Sequence, residues 1–447
     1  MPGMTKRPFV PAGLLVLLLC SASCSHLSKP STSWSPETGV SDAVAVELEK
    51  FHPVDPPRGS SLLLRQGDRL AICGDSITEQ TMYSRIMETY LAVCVPQWEV
   101  TVRQYGWSGE KADGFLRRMT NDVLRFNPTV ATTCYGMNDH RYTPYTDEIG
   151  KRYRDYSTAI VESFKAHGVR VVQGSPGCVG KVPGWGDKTA TVDQLNQNLC
   201  LLRNIGVEIA REQNVRFADV FWPMLAASYA GREAHGADYD VAGDDGVHPG
   251  WAGQVVMAYA FLDALGLDGE IGRYDVNLAS GKATASEGHE VVSFSGGVLQ
   301  VRSSRYPFCA TGDPGSDGSM RSGMALVPFN DRLNRLTLRV KGKAASYMVI
   351  WGGESKVFSA EQLKDGINLA DLYPVNPFSD AFNKVDAAVL RKQQYETDQI
   401  KKAFRSGEAK TDMEAVARET EAVRAPLAAA IGEAFVPVTH EIRIEEM

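Results

Sequence analysis

Between Arg69 and Leu267, compact apolar runs alternate with longer stretches of helical spacing, and this constrains the fold more than any other feature of the chain. Leu70-Ala71-Ile72-Cys73 is an apolar run stopped by Gly74. Tyr83–Val93 has helical spacing, and residues 98–105 alternate before ending at Gly106. Residues 115–126 are helical, and Pro128 introduces a strand over 129–135. Helical spacing returns at 148–167 and 191–213, with a strand at 169–173 and a glycine-rich loop at 174–186 between them. A strand at 215–220 and a helix at 252–265 complete the series. Short continuous apolar runs suit strands buried on both faces, and strand–helix alternation builds a parallel sheet covered by helices. Ligands of such sheets bind beyond the carboxyl ends of the strands.

After residue 271 the pattern changes. Strand-like runs recur at 290–295, 298–303, 324–328, 336–340 and 346–351, which predicts a β-rich module over 271–378. Residues 380–430 are rich in Ala, Glu, Lys, Arg and Gln with a break at Gly407, the pattern of a two-helix hairpin within 379–447 whose charges form a solvated face. The connection over 267–277 has no Pro/Ser-rich or long glycine stretch, so the module is expected to pack on the α/β region of 61–270 rather than swing free. A length of 447 residues accommodates these parts, since domains average roughly 100–200 residues.

The N-terminus reads as a targeting segment over 1–24. Lys6 and Arg7 precede an apolar stretch over 9–20, too short to span a bilayer, and then Ser21-Ala22-Ser23-Cys24. This resembles a bacterial lipoprotein signal, in which Cys24 would be lipidated and attach the body to a membrane. Simple secretion with cleavage after Ser23 is the alternative. Residues 25–60 form the tether, rich in Ser, Pro and Thr at its start. Six further cysteines remain. Cys73 and Cys134 lie in apolar runs and read as small core residues, and no CxxC pair marks a structural zinc site. The net charge of −7 argues against a nucleic-acid partner.

Four short patterns carry the chemistry. Gly74-Asp75-Ser76-Ile77 follows the first strand and puts a serine hydroxyl at the sheet's carboxyl edge. Gln104-Tyr105-Gly106-Trp107-Ser108-Gly109 follows the second, with glycines that let a backbone N–H approach a ligand. Gly136-Met137-Asn138-Asp139 follows the third, where a side-chain amide can donate to a developing oxyanion. Asp245-Gly246-Val247-His248-Pro249 precedes the last helix. Its spacing lets the carboxylate reach one imidazole nitrogen and leaves the other free as a base.

Taken in order, these patterns closely resemble the four blocks of the SGNH (GDSL-type) hydrolase family, over roughly residues 68–267. The resemblance implies a three-layer α/β/α fold with a mostly parallel, five-stranded, flavodoxin-like sheet. It implies Ser76 as nucleophile, His248 as general base and Asp245 as the residue orienting it. The oxyanion would be held by the N–H groups of Ser76 and Gly109 and by the Asn138 side chain. Gly109 matches the last glycine of the family's Asn-x-x-x-x-Gly stretch, whose first position is Gln104 here. No cofactor or metal is required. The expected partner is an ester substrate, with an acetylated glycan favoured by family analogy. A lipase or thioesterase, or a catalytically silent carbohydrate-binding scaffold, are the alternatives.

Overall fold

A computed structural model describes residues 48–57, 59 and 61–447. The signal segment, Cys24 and most of the tether lie outside the described residues.

Five strands, β1 (Arg69–Gly74), β2 (Thr101–Gly106), β3 (Val130–Cys134), β4 (Arg170–Gly174) and β5 (Arg216–Ala218), form one sheet in the order β2-β1-β3-β4-β5. Every pairing is parallel. The apolar run of β1 serves both faces. Leu70 and Ile72 pack with Ile86 and Val255, from α2 (Tyr83–Val93) and α7 (Trp251–Ala264). Ala71 and Cys73 pack with Phe115 and Ile160, from α3 (Ala112–Asp122) and α4 (Asp147–Ala166). A four-residue α1 (Ser76–Glu79), α5 (Val192–Gln213) and α6 (Phe221–His235) complete the helices of this three-layer α/β/α domain. Sequence spacing does not reveal α6, because its apolar first half runs on from β5 and Pro223 reads as a break. A proline in the first helical turn costs no intrahelical hydrogen bond.

The order of this sheet reverses between β1 and β3, which opens a crevice at their carboxyl ends. Ser76 follows β1 and Asn138 follows β3, so two of the four loops flank that crevice.

The C-terminal part holds two more sheets. The first contains β6 (Glu270–Asn277), β7 (Lys282–Ala285), β10 (Arg335–Lys341) and β13 (Ile367–Asn368), in the order β13-β10-β6-β7. The second has β8 (His289–Ser295), β9 (Val298–Ser303), β11 (Ser346–Trp351), β12 (Glu354–Ser359) and β14 (Val438–Glu446), in the order β12-β11-β14-β9-β8. Residues 324–328, expected as a strand, instead belong largely to α8 (Met320–Leu326). The Ser319 side chain caps this helix, and Met320 and Met324, one turn apart, bury its inner face. The module packs on the α/β/α domain through apolar contacts and specific hydrogen bonds. The Ala252 N–H donates to the Asp317 carbonyl at 2.9 Å, and the Tyr90 hydroxyl donates to the Leu333 carbonyl at 2.6 Å.

The helices α9 (Ser379–Lys401) and α10 (Met413–Ala434) form the expected hairpin, but it is not a free excursion. The chain returns from it as β14, which pairs between β11 and β9 in the middle of a sheet. The hairpin is thus held at both ends. Its charges also depart from expectation. Lys392 and Glu396, read as part of a solvated face, are 1% and 2% exposed. They face β2, the open edge of the parallel sheet, whose unpaired backbone groups offer partners for both. The six described cysteines are all buried and unpaired.

Candidate active site

The turn after β1 is tight by necessity. A Cβ on Gly74 would lie 2.1 Å from the Thr78 Oγ1, so only glycine lets the strand pass directly into α1. Asp75 caps that helix by accepting from the Ile77 N–H at 3.0 Å. Ser76 is its first residue, and its N–H lacks an intrahelical partner by position.

The loop before α7 brings His248 to this turn. His248 Nε2 lies 2.8 Å from Ser76 Oγ, and His248 Nδ1 lies 2.6 Å from Asp245 Oδ2. The other carboxylate oxygen, Asp245 Oδ1, accepts from the N–H groups of Val247 at 2.9 Å and His248 at 2.8 Å. Burial pushes the Asp245 carboxyl up, but the His248 and Val247 N–H groups and the His248 ring outweigh it and hold the acid below its ordinary value. An ionised Asp245 fixes the proton on Nδ1, which leaves Nε2 with a lone pair for the serine hydroxyl.

Asn138 sits beside them. The Tyr142 hydroxyl donates to Asn138 Oδ1 at 3.0 Å. Asn138 Nδ2 donates to the Glu110 carbonyl at 3.1 Å and, more weakly, to Asp75 Oδ2 at 3.3 Å. Acceptors on one side and a hydroxyl on the other set which end of the amide faces the serine turn. Asp139 holds the same loop in place by accepting from the N–H groups of Gly136 and Ala112, each at 3.1 Å. Gly109 has φ +72, a left-handed conformation suited to glycine, and among the described residues its N–H has no hydrogen-bond partner. The bond from Asn138 to Glu110 ties the Gly109 loop to the asparagine. Gln104 is buried, and its Oε1 accepts from the Gly106 N–H at 2.7 Å, so this side chain braces the turn from within.

Sequence reasoning missed three neighbours. Asp75 reads only as a cap, yet it is buried against Asn138. Desolvation, reinforced by the charges of Asp139 and Glu110 and opposed by the Ile77 N–H, pushes its carboxyl up to about 7. Tyr142 lies in an irregular loop with no periodicity to mark it. Trp185 lies in the glycine-rich loop after β4, is 54% exposed, and places its ring 6.1 Å from His248 and 5.7 Å from Tyr142. Among the described residues, no group of three or more His, Cys, Asp or Glu side chains is arranged to hold a metal ion.

A serine hydroxyl, a base with its orienting carboxylate and nearby N–H donors can together perform acyl transfer. Residues 72–256 match the model of the GDSL-like Lipase/Acylhydrolase family. The match begins within β1, runs through β5 and takes in the four loops described above. No curated protein matches the sequence. Among solved structures, a gut microbial diltiazem-metabolizing enzyme is similar in fold over 87% of this chain and 100% of its own, at 21% identity and a TM-score of 0.69. That coverage extends well past the α/β/α domain. A catalytic mutant of an acetylxylan esterase from Geobacillus stearothermophilus is 22% identical over 46% of this chain and 97% of its own, with a TM-score of 0.38. A putative GDSL-like lipase from Parabacteroides merdae is 19% identical over 46% of this chain and 99% of its own, also with a TM-score of 0.38.

Proposed function

We propose that the chain is a serine-dependent carboxylic ester hydrolase that works through an acyl-enzyme and acts on O-acetylated carbohydrate. The observation that carries this reading is the unbroken hydrogen-bond chain from Asp245 through His248 to Ser76 at the carboxyl edge of β1. In the first half-reaction His248 Nε2 takes the Ser76 proton while Oγ attacks the ester carbonyl. The tetrahedral oxyanion is held by the N–H groups of Ser76 and Gly109 and by the Asn138 amide. Collapse breaks the ester C–O bond, and the alcohol leaves with the proton from His248. Water, deprotonated by the same imidazole, then attacks the acyl-serine; the acyl C–O bond to Ser76 breaks, His248 returns the proton to Ser76 Oγ, and the acid is released. Removing one oxyanion donor costs about 100- to 1,000-fold in such reactions.

The carbohydrate assignment is supported by Trp185. A half-exposed indole beside the base offers a free apolar face on which a sugar ring can stack. Changing Trp185 to alanine is expected to raise KM for an acetylated oligosaccharide roughly threefold to tenfold, the scale of one aromatic contact. Hydrolysis of p-nitrophenyl acetate should be almost unaffected. Equal losses on both substrates would remove Trp185 from the sugar site. The whole reading is tested by a panel of acetylated glycans and of short- and long-chain acyl esters. Preference for the glycans supports it, preference for long chains replaces the carbohydrate by an acyl lipid, and no hydrolysis of any ester overturns it.

Export with a lipidated Cys24 belongs to the same proposal. No helix among the described residues is long and apolar enough to cross a membrane. The expected result is a mature N-terminus at Cys24 carrying the mass of several acyl chains, since a single chain anchors only marginally. An unmodified N-terminus by mass spectrometry means plain secretion.

A further inference from the structure

The strand β2 and the loop after it, residues 107–109, are bound from outside the α/β/α domain by the helical hairpin. β2 is an edge strand, so half of its backbone groups lack a neighbouring strand. The hairpin supplies those partners with side chains. Lys392 Nζ and Arg424 Nη2 donate to the Val102 carbonyl at 2.6 and 3.1 Å, and the Gln104 N–H donates to Glu396 Oε2 at 3.1 Å. The Gln104 side chain carries the connection onward. Its Nε2 donates to the Gln393 carbonyl at 3.3 Å and to Thr397 Oγ1, while its Oε1 accepts from the Gly106 N–H.

A second connection starts at the end of α9. Lys401 Nζ pairs with Glu79 Oε1 at 2.6 Å, and Glu79 Oε2 accepts from the Ser108 N–H, one residue before Gly109. Trp107, at the start of the same loop, has the charged ends of Lys401 and Arg405 over its ring at 5.5 and 5.0 Å. Two independent paths therefore run from the hairpin, one to Gly106 at the end of β2 and one to Ser108 in the loop that follows it. The Lys392–Glu396 pair at this edge is buried, whereas Lys401 and Glu79 are partly exposed. A buried pair is a poor net stabiliser, because desolvation offsets its attraction, but removing one partner of it is costly. An edge held by such pairs is well suited to fixing a backbone position.

We propose that the hairpin is a positioning device for the oxyanion loop, holding the Gly109 N–H in line through the Lys401–Glu79–Ser108 and Thr397–Gln104–Gly106 connections. This rests on the reading of Ser76 as the nucleophile of an ester hydrolase. The hairpin contributes no atom to the bonds that change. Its effect is on how well a preorganised donor meets the transition state.

The test uses the full chain with Lys401→Met. The expected result is a fall of about 10- to 100-fold in kcat on p-nitrophenyl acetate, the cost of a small misplacement, with KM nearly constant. Affinity for a boronic acid, which forms a tetrahedral adduct with a reactive serine, should fall in parallel. Lys401→Arg should restore most of both. A Lys401→Met protein that keeps kcat within about twofold, or that loses kcat without losing boronate affinity, overturns the inference. If Lys401→Met does not fold, Thr397→Val decides through the other connection, with the same split between kcat and KM expected and an unchanged kcat overturning it. Wild-type protein inactive on every ester would instead sink the functional reading on which this depends.

Discussion

Replacing Ser76 by alanine is expected to reduce ester hydrolysis by about a millionfold in kcat, to the level left by binding and oxyanion contacts alone. The size of the loss follows from the mechanism. Without Oγ no acyl-enzyme forms, and His248 has no hydroxyl to deprotonate. The fold should be unaffected. The Ser76 hydroxyl makes one hydrogen bond, to His248, and α1 is capped by Asp75 rather than by the serine side chain. A change in stability within roughly 0.5 kcal/mol is therefore expected, as for sites outside packed cores. Hydrolysis of p-nitrophenyl acetate, labelling by a fluorophosphonate and a thermal melt together check this. A folded variant that keeps more than a few per cent of activity, or still takes up the label in the same peptide, assigns the nucleophile to another residue.

Asp245→Asn is expected to cost about ten-thousandfold in kcat near neutral pH while leaving KM and the fold close to wild type. The two ends of the Asp245 carboxylate do different things. Oδ1 accepts from two backbone N–H groups, so an introduced amide will keep its oxygen there. That turns the NH2 group toward His248 Nδ1. Two donors cannot share that contact, so the imidazole proton moves to Nε2, the nitrogen that must accept from Ser76. The base is present but in the wrong tautomer. Retention of kcat within about tenfold would mean that Asp245 orients the loop only, and that the tautomer of His248 is set elsewhere.

The residues of this site stand in four loops far apart in sequence, yet each loop was legible. The reason is that three of them follow strands with abrupt ends: Leu70-Ala71-Ile72-Cys73 is a compact apolar run stopped by Gly74, residues 98–105 alternate up to Gly106, and Pro128 introduces the strand that ends before Gly136. The chemistry-bearing residues follow those ends directly. What lies around them was not legible. Asp75 looks like a helix cap because it is one, and its burial against residues distant in the chain, among them Asn138, 63 positions away, and Glu110, is not visible in the sequence around it. Tyr142 and Trp185 sit in irregular loops, where neither period nor spacing distinguishes a residue facing the site from one facing water.

The same division runs through the fold. Local pattern alone located the five strands of the parallel sheet, most of its helices though not α6, and a two-helix hairpin near the C-terminus, because burial on a regular element imposes a period on the residues that form it. Pairing across long separations was decided by tertiary structure. The strand β14 carries alternating buried residues, His440, Ile442 and Ile444, but its partners β11 and β9 lie roughly ninety and more positions earlier, and nothing local names them. The charges of the hairpin show the limit most clearly. Lys392, Glu396 and Arg424 have the composition of a solvated helix face, and in isolation water would be their best partner. The open edge of β2 offers Val102 and Gln104 backbone groups that no strand satisfies. A buried charge is tolerated where it meets such groups, so the site of burial was chosen by the unpaired edge of a distant sheet and not by the helix that carries the charge.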